Sequence, residues 1–366
     1  RAWVRARSAT RAKAGLGPLF DARSCAACHP GGDRPGLAAD RAGAPATGLV
    51  VRLARPDGSP DPIHGVQLQT QAVAGVVPEA RLALRPGGDR RPRIAILALR
   101  DGPLDGETRP SPRLAPALFG AGAIEAVPEA AIRGLADPQD RDGDGISGRV
   151  SEIRDAAGRI RVGRWGFRAT GVDLADQIAG AFSVDMGLST PRHPDPHGDC
   201  TPRQTACRAA PPGAPDAAGD HEIGEAVVAR LAAFLGGLER PPGASAPAPS
   251  RRGAEIYTAL GCPACHAPLV GAGRVVHSDL LLHDMGAGLG DGDGSRPVDR
   301  LWRTTPLIGL GDRLERGTPL LHDGRARTLA QAIGDHGGEA AAAAARYAAL
   351  PKGDRRALAD HLATFR

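Results

Sequence analysis

Six cysteines carry the most specific chemical signal in this 366-residue sequence. Four of them form two Cys-x-x-Cys-His motifs, with Cys25, Cys28 and His29 in the first and Cys262, Cys265 and His266 in the second. This spacing is typical of c-type haem attachment, in which each thiol bonds one vinyl group and the adjacent imidazole is the proximal iron ligand. The sequence therefore predicts two covalently bound haem c groups.

Paired cysteines also hold zinc or form redox dithiols in other proteins. Two zinc sites would need four further cysteine or histidine ligands at short spacing, and the remaining cysteines, Cys200 and Cys207, lie far from both motifs. A thioredoxin-like dithiol lacks the histidine that follows at once. We therefore favour haem over both alternatives.

Covalent haem is loaded outside the cytoplasm, so we expect a periplasmic or exported protein. Cys200 and Cys207 would form a disulfide in such an oxidising compartment. The first five residues lack the apolar core of a signal peptide, and no apolar run reaches the roughly 18 residues of a membrane span. We therefore expect neither a retained leader nor a membrane span.

The composition limits the classes of partner. The formal net charge is +5 and basic residues do not cluster with aromatic ones, which argues against a nucleic-acid partner. Aromatic residues make up only 3% of the chain. A bound cofactor could therefore supply part of the apolar bulk of the core.

Short amphipathic segments would position the two motifs. Residues 11–29 and 251–266 each run into a haem motif, and apolar residues three and four apart predict helices over 222–238 and 355–365. Residues 340–345 are alanine-rich and predict one more helix. Apolar bursts between turn residues predict strands within 47–55, 63–77, 81–85 and 93–100.

A Pro-, Ala- and Ser-rich segment at 240–250 reads as a linker between two domains. The domains would comprise residues 1–240 and 251–366. Because each half has a segment leading into a haem motif and a closing helix, we expect a mainly α fold. It would consist of two cytochrome c-like haem domains, the N-terminal one enlarged by loop and short β insertions.

An acidic, glycine-rich segment could bind calcium. Asp140, Asp142 and Asp144 occupy the first, third and fifth positions of a calcium loop, and Gly145 occupies the sixth. The twelfth position is Ser151 rather than a glutamate, so the loop is imperfect. The alternative is an ordinary acidic turn.

Several motifs resemble those of the di-haem cytochrome c peroxidase superfamily, and within it the branch of di-haem oxidoreductases often labelled thiol oxidoreductases. They extend over nearly the whole chain: GPLF (17–20), DGDGISGR (142–149), GRWGFRA (163–169), DMG (185–187), LHDMG (282–286), WRTTPL (302–307) and LHDGRA (321–326). The resemblance implies an oxidoreductase with two haems.

For the second haem, the resemblance implies a distal iron ligand about fourteen residues after the His-x-Gly segment at His322, which is the position of His336. We therefore expect His266 and His336 to ligate this iron. His322 and Met285 are the other candidate ligands. If His336 is the ligand, His322 would be a structural residue or a hydrogen-bond or proton partner near the haem, and Met285 would pack in the core.

For the first haem, the resemblance implies that Trp165 lies between the haems and relays electrons. It further implies that Gln177 and Asp185 face hydrogen peroxide, where a carboxylate would act as general acid and base. Asp185 is shorter than the glutamate of the peroxidases, and Met186 beside it could instead ligate the iron. His64 is a further distal candidate. Three arginines are candidates for pairing with haem propionates: Arg164, Arg168 and Arg303.

The resemblance thus predicts reduction of hydrogen peroxide, or another small oxidant, at the first haem. Electrons would come through the second haem from a small redox protein. Two alternatives stay open: a plain electron-transfer di-haem cytochrome, and a di-haem oxidase of a protein or organic substrate. An open first iron beside Gln177 and Asp185 favours catalysis, and Met186 on that iron favours a carrier.

Overall fold

The structure is a computed structural model that describes residues 16–37, 39, 43–45, 47–85, 93–155, 157–211, 213, 221–239 and 249–366. The start of the first predicted amphipathic segment, at residues 11–15, lies outside this range, and so do residues 240–248 of the predicted linker. The division of the chain at that linker therefore stays a prediction.

Two compact units are distinguished by their internal contacts. The first comprises Arg1–Leu118, Ile178–Ala233 and His322–Arg325, and the second comprises Phe119–Gln177, Phe234–Leu321 and Ala326–Arg366. Each unit therefore draws on separate stretches of the sequence. The first motif, Cys25 to His29, lies in the first unit, and the second motif lies in the second unit.

The strands are short. They are β1 (Leu19–Phe20), β2 (Leu49–Ala54), β3 (Gln67–Leu68), β4 (Gln71–Ala72), β5 (Arg81–Arg85), β6 (Arg93–Leu97), β7 (Arg109–Leu114), β8 (Glu152–Arg154), β9 (Ile160–Val162), β10 (Val270–Gly271), β11 (Arg274–Val275), β12 (Leu282–Asp284) and β13 (Leu301–Arg303). All pair antiparallel; β3, β2 and β7 form one three-stranded sheet, and the rest of the described strands form five pairs.

The α-helices are also short. They are α1 (Cys25–Cys28), α2 (Ala121–Glu125), α3 (Glu129–Gly134), α4 (Leu174–Met186), α5 (Thr205–Arg208), α6 (Glu225–Gly236), α7 (Arg251–Ala259), α8 (Pro297–Arg300), α9 (Leu310–Glu315), α10 (Leu329–Gly334), α11 (Ala341–Ala349) and α12 (Lys352–Leu362). Among the described residues, no helix combines the length and the apolar character that crossing a bilayer requires.

The prediction of a mainly α fold built from two cytochrome c-like domains is wrong. Of the residues that the structure describes, only 31% are helical, and 17% are strand in six small sheets. With 50 Gly and 33 Pro, the sequence is interrupted too often to form long helices, and even α4 has only 13 residues. The strands expected as insertions are present at β2, β5 and β6, and the predicted helices α6, α11 and α12 are confirmed. The amphipathic segment that begins at residue 251 forms α7.

The core of the first unit lies under the three-stranded sheet. Alternate residues of β2 point inward, so that Val51 and Leu53 pack with Leu68 and Leu82. The segment before the first haem motif is tied to the end of α4, because the Gly17 N–H donates to the Met186 carbonyl at 3.0 Å. A Cβ atom at Gly17 would overlap the backbone of Gly187, so this close approach requires glycine.

The core of the second unit forms where α7 packs against α12. Ile256 and Tyr257 of α7 contact Leu358 and Leu362 of α12 within one buried cluster. The helices approach closely at Gly253, where a Cβ atom would overlap the Ala357 carbonyl oxygen. This packing fixes the end of α7, from which the second haem motif follows at once.

Candidate functional site

The first Cys-x-x-Cys-His motif forms one helical turn. Cys25 to Cys28 are helical, and the His29 N–H donates to the Cys25 carbonyl at 2.8 Å. The His29 imidazole donates from Nδ1 to the Pro116 carbonyl at 2.7 Å. Burial lowers the pKa of His29, which keeps its ring neutral. A neutral imidazole fixed through Nδ1 presents Nε2 to a metal, as a proximal ligand must.

The second motif repeats this arrangement. The His266 N–H donates to the Cys262 carbonyl at 2.9 Å, and Nδ1 of its ring donates to the His277 carbonyl at 3.2 Å. Burial, with a smaller contribution from the neighbouring His336 imidazole, lowers the pKa of His266 to about 4. The ring is therefore neutral at physiological pH and oriented by a backbone carbonyl.

Both donor sets fit a c-type haem, because each offers two thiols and one oriented neutral imidazole. The second unit adds a half-buried cation, Arg303. Nε of Arg303 donates to the Gly166 carbonyl at 2.9 Å, whereas its buried Nη1 atom has no hydrogen-bond partner among the described residues. Burial lowers the pKa of Arg303 to about 10. A carboxylate such as a haem propionate would satisfy this guanidinium.

The two other arginines predicted as propionate partners are already engaged. Arg164 donates to the carbonyls of Glu125 and Val127 at the end of α2. Arg168 donates to the Asp291 carboxylate and stacks over the Trp302 ring. These bonds engage a terminal nitrogen of Arg164, although its buried Nε atom has no hydrogen-bond partner among the described residues. Because Arg303 has a terminal Nη1 atom without such a partner, it is the better candidate for a propionate.

His336 lies near His266 in the second unit. It follows α10, and Nδ1 of its ring donates to the Ala332 carbonyl at 2.7 Å. Burial lowers the pKa of His336, so this ring is also neutral. The structure therefore brings together two imidazoles, each held through Nδ1.

The two rival candidates for the second iron are placed differently. His322 belongs to the first unit, where its carbonyl accepts the Leu114 N–H at 2.8 Å. Met285 is half-buried, and its carbonyl oxygen lies beside Gly337 in the loop that carries His336. Their roles at the haem stay predictions.

Asp185 lies at the end of α4 beside the first haem motif. Burial raises the pKa of the Cys25 and Cys28 thiols, and the negative charge of Asp185 raises both further. The same charge opposes the lowering of the His29 pKa by burial. Its Oδ1 atom accepts a hydrogen bond from Nε2 of Gln67 at 3.0 Å. The structure therefore places a carboxylate next to this motif.

Gln67 connects Asp185 with a second carboxylate, Asp21. The same Nε2 atom donates to Asp21 Oδ2 at 2.7 Å, and the Thr70 hydroxyl donates to Asp21 Oδ1 at 2.6 Å. Burial raises the pKa of Asp21 to about 7, and the charge of Asp185 adds to the effect. We did not predict Asp21 or Gln67 from the sequence; the only signal was the position of Asp21 directly after the GPLF motif.

Gln177 and Asp185 occupy opposite ends of α4. Eight residues along a helix correspond to a rise of about 12 Å, so the helix itself does not bring their side chains together. Gln177 lies in the second unit with its side-chain oxygen near Gly171 and Gly166, beside Trp165. Met186 is buried in the first unit, and its carbonyl accepts the Gly17 N–H.

Trp165 is held by a carboxylate. Its indole Nε1 donates to Glu125 Oε2 at 2.8 Å, and the same oxygen accepts the Leu174 N–H at 3.1 Å. The backbone of Trp165 pairs with Gly171, so the side chain is fixed from both ends. The ring is half-buried in the second unit.

The predicted calcium loop gathers its three carboxylates. Oxygens of Asp140, Asp142 and Asp144 lie within 4.8 Å of one another. Each of these side chains also accepts a backbone N–H within the loop, as in an ordinary acidic turn. The geometry is compatible with both predicted interpretations.

The remaining candidate residues, Cys200, Cys207 and His64, lie in the first unit. Cys200 and Cys207 form a disulfide, as predicted. His64 is fully buried and its ring lies between Glu79 Oε1, at 3.1 Å, and the Gly102 carbonyl, at 3.0 Å. Both ring nitrogens of His64 are thus engaged, so they are not available to an iron in this conformation.

The chain matches the model of a known family. A family model described as "Di-haem oxidoreductase, putative peroxidase" matches residues 104–365. The match includes the second haem motif and the segment from Trp165 to Asp185, but it begins after the first motif. No curated protein and no solved structure matches the chain significantly.

Proposed function

The chain belongs to the di-haem oxidoreductase family, and from this premise we propose that it reduces hydrogen peroxide. It would carry two covalently attached c-type haems in the periplasm or in another exported location. The first haem would be the peroxide site, and the second would receive electrons from a small redox protein. The observation that carries the proposal is the Asp185 carboxylate beside the first motif, linked through Gln67 to Asp21.

Reduction of one peroxide to two waters consumes two electrons and two protons, and a haem at His29 would supply the iron that binds peroxide. Asp185 would take a proton from one peroxide oxygen and return it to the leaving oxygen, which is general acid–base catalysis worth about 10²–10⁴-fold. Gln67 would hold the Asp185 carboxylate in place. Asp21, whose pKa of about 7 leaves it partly protonated at neutral pH, would keep a further proton near the site.

The second haem would be held by His266 and His336. Two neutral imidazoles, each oriented by a backbone carbonyl, would hold this haem in a form suited to electron transfer. Bis-histidine ligation would also give this haem a lower potential than a methionine ligand would. Arg303 would pair with one of its propionates.

Trp165 would relay electrons towards the peroxide site, with Glu125 holding its indole N–H. Gln177 is proposed as a second polar side chain that faces peroxide. Its side-chain oxygen lies near Gly166 and Gly171, beside Trp165. A calcium ion at Asp140, Asp142 and Asp144 completes the proposed cofactors. Calcium titration of the holoprotein, with Asp142→Asn as the comparison, tests that site directly.

The test is an EPR spectrum of the holoprotein poised at one-electron reduction, recorded before and after hydrogen peroxide. We expect a high-spin or open signal that reacts with peroxide, together with a low-spin signal of the second haem. Asp185→Asn should keep both haems and lose about 10²–10⁴-fold in peroxide turnover. Two low-spin signals that persist in every redox state and ignore peroxide would overturn the proposal and indicate an electron carrier.

A further inference from the structure

A buried histidine in the second unit lies between two carboxylates. His283 on β12 is only 2% exposed; its Nε2 atom lies 2.8 Å from Asp279 Oδ2, and its Nδ1 atom lies 2.7 Å from Glu339 Oε2. Only an imidazolium donates from both nitrogens at once. Although burial lowers the pKa of His283, the hydrogen bonds to the Asp279 and Glu339 carboxylates raise it. We call these three residues, Asp279, His283 and Glu339, the His283 triad.

One end of the His283 triad contacts the haem-attachment segment. The Asp279 N–H donates to the Cys265 carbonyl at 2.9 Å, and the Cys265 sulfur lies 3.8 Å from His283 Nδ1. Cys265 directly precedes His266. The triad is thus linked to the segment that carries His266.

The other end of the triad holds the loop that carries His336. Glu339 lies three residues after His336, and its Oε1 atom accepts the Asp284 N–H at 3.0 Å. Its Oε2 atom accepts the Ser147 N–H at 2.9 Å in addition to the bond from His283. Glu339 therefore fastens this loop to β12 through His283 and the Asp284 N–H, and to the 142–149 segment through the Ser147 N–H.

The triad has little freedom to rearrange. A Cβ atom at Gly148 would lie 3.0 Å from Cε1 of His283, so the imidazole ring packs directly against the backbone there. Cys265, Asp279 and His283 have the residue types of a metal site. Both His283 nitrogens are protonated towards carboxylates, however, and Cys265 belongs to a haem motif, so the contacts favour a positioning role over metal binding.

We propose that the His283 triad is a positioning device for the second haem, in which Glu339, held by the His283 imidazolium, keeps the 336–340 loop in place and thereby keeps His336 directed towards the iron. This inference rests on the proposed function, in which His266 and His336 ligate the second haem. Neither His283 nor Glu339 would touch the iron.

Two variants of the holoprotein separate position from charge. Glu339→Gln and Asp279→Asn each remove one of the two carboxylates that lie beside the His283 ring. Only Glu339 lies in the loop of His336. Glutamine retains one acceptor oxygen at position 339, so it loses either the bond from Asp284 or the bonds from both His283 and Ser147. The Asp279→Asn substitution leaves the loop of His336 undisturbed, and it also leaves the backbone bond from residue 279 to Cys265 unchanged.

The readout is a cyanide titration followed by EPR. The measured quantity is the cyanide concentration at which half of the low-spin bis-histidine signal is lost. We expect Glu339→Gln to lower this concentration about tenfold, as for loss of one charge-assisted hydrogen bond, and Asp279→Asn to change it less than about threefold. Glu79→Gln, which disrupts the buried His64–Glu79 pair of the first unit, is the matched control and should leave it unchanged.

Each outcome is decisive. Equal shifts in Glu339→Gln and Asp279→Asn, or no shift in either, would overturn the positioning role while leaving the bis-histidine haem intact. A wild-type protein without a bis-histidine signal would instead refute the ligand assignment of the proposed function, and the inference would fall with it. If Glu339→Gln does not load haem, Glu339→Asp keeps the charge, shortens the side chain and should show the same increase in cyanide sensitivity.

Discussion

Replacing Asp21 with asparagine should remove a pH dependence of stability. Asp21 is 5% exposed, and burial raises its pKa from 3.8 to about 7 despite hydrogen bonds from Thr70 and Gln67. Between these two pH values the native state binds the proton more tightly than the unfolded chain does. The free energy of unfolding therefore falls as pH rises from about 4 towards 7. Asparagine resembles the protonated carboxyl and does not titrate.

The size of the effect follows from the shift. A rise in pKa from 3.8 to about 7 corresponds to about 4 kcal/mol over the full range. About 2 kcal/mol of this falls between pH 5 and pH 7, where the holoprotein can be handled without general acid unfolding. Asp199, whose pKa burial also raises to about 7, titrates in both proteins and cancels in the comparison.

The assay is urea unfolding of the wild-type and Asp21→Asn holoproteins at pH 5, 6, 7 and 8. The stability of the variant relative to wild type should increase by about 2 kcal/mol from pH 5 to pH 7. Asp57→Asn is the control, because hydrogen bonds from Ser59 lower the pKa of the exposed Asp57 and keep it outside this range. A difference between wild type and Asp21→Asn that stays constant over this range would refute the raised pKa and remove Asp21 as a proton store.

Two further predictions concern packing and the disulfide. Gly253→Ala should destabilise the protein by about 3 kcal/mol through overlap with Ala357, whereas Gly353→Ala, with open space around it, should stabilise it by about 0.5 kcal/mol. Similar unfolding midpoints for both variants would contradict the close packing of α7 and α12. Replacing Cys200 and Cys207 by serine should cost about 2 kcal/mol, measured by urea unfolding without reductant. An unchanged midpoint there would show that this loop does not restrain the unfolded chain.

The sequence predicts well those features that depend on residues close together in the chain. The two haem motifs are defined by a fixed spacing of three residue types, so they can be recognised without any structure. Helices α6 and α12 follow from apolar residues three and four apart, and β2 follows from alternation. The fold class failed because such patterns locate elements without determining how the elements are combined.

The residues that surround the motifs could not be predicted in the same way. Asp21, Gln67 and Asp185 are far apart in the sequence and meet only through tertiary packing. Glu339 likewise reaches His283 across 56 residues. His283 lies within the LHDMG motif, but only Met285 of that motif was considered as a candidate, because a thioether is a familiar haem ligand. Nothing in the local sequence shows that both nitrogens of His283 face carboxylates.

The electrostatics around the two motifs differ in a way that bears on the proposed division of labour. The groups near the second motif are fixed in charge at neutral pH, because burial lowers the pKa of His266 to about 4 and the Asp279 and Glu339 carboxylates raise the pKa of His283 despite its burial. Near the first motif, burial brings the pKa of Asp21 to about 7, within the range where it gains and loses protons readily. Peroxide reduction consumes two protons, whereas transfer of an electron to a haem of fixed coordination needs none. Proton chemistry is therefore expected at the first haem, and a pH profile of peroxide turnover that is unaffected by Asp21→Asn would argue against this assignment.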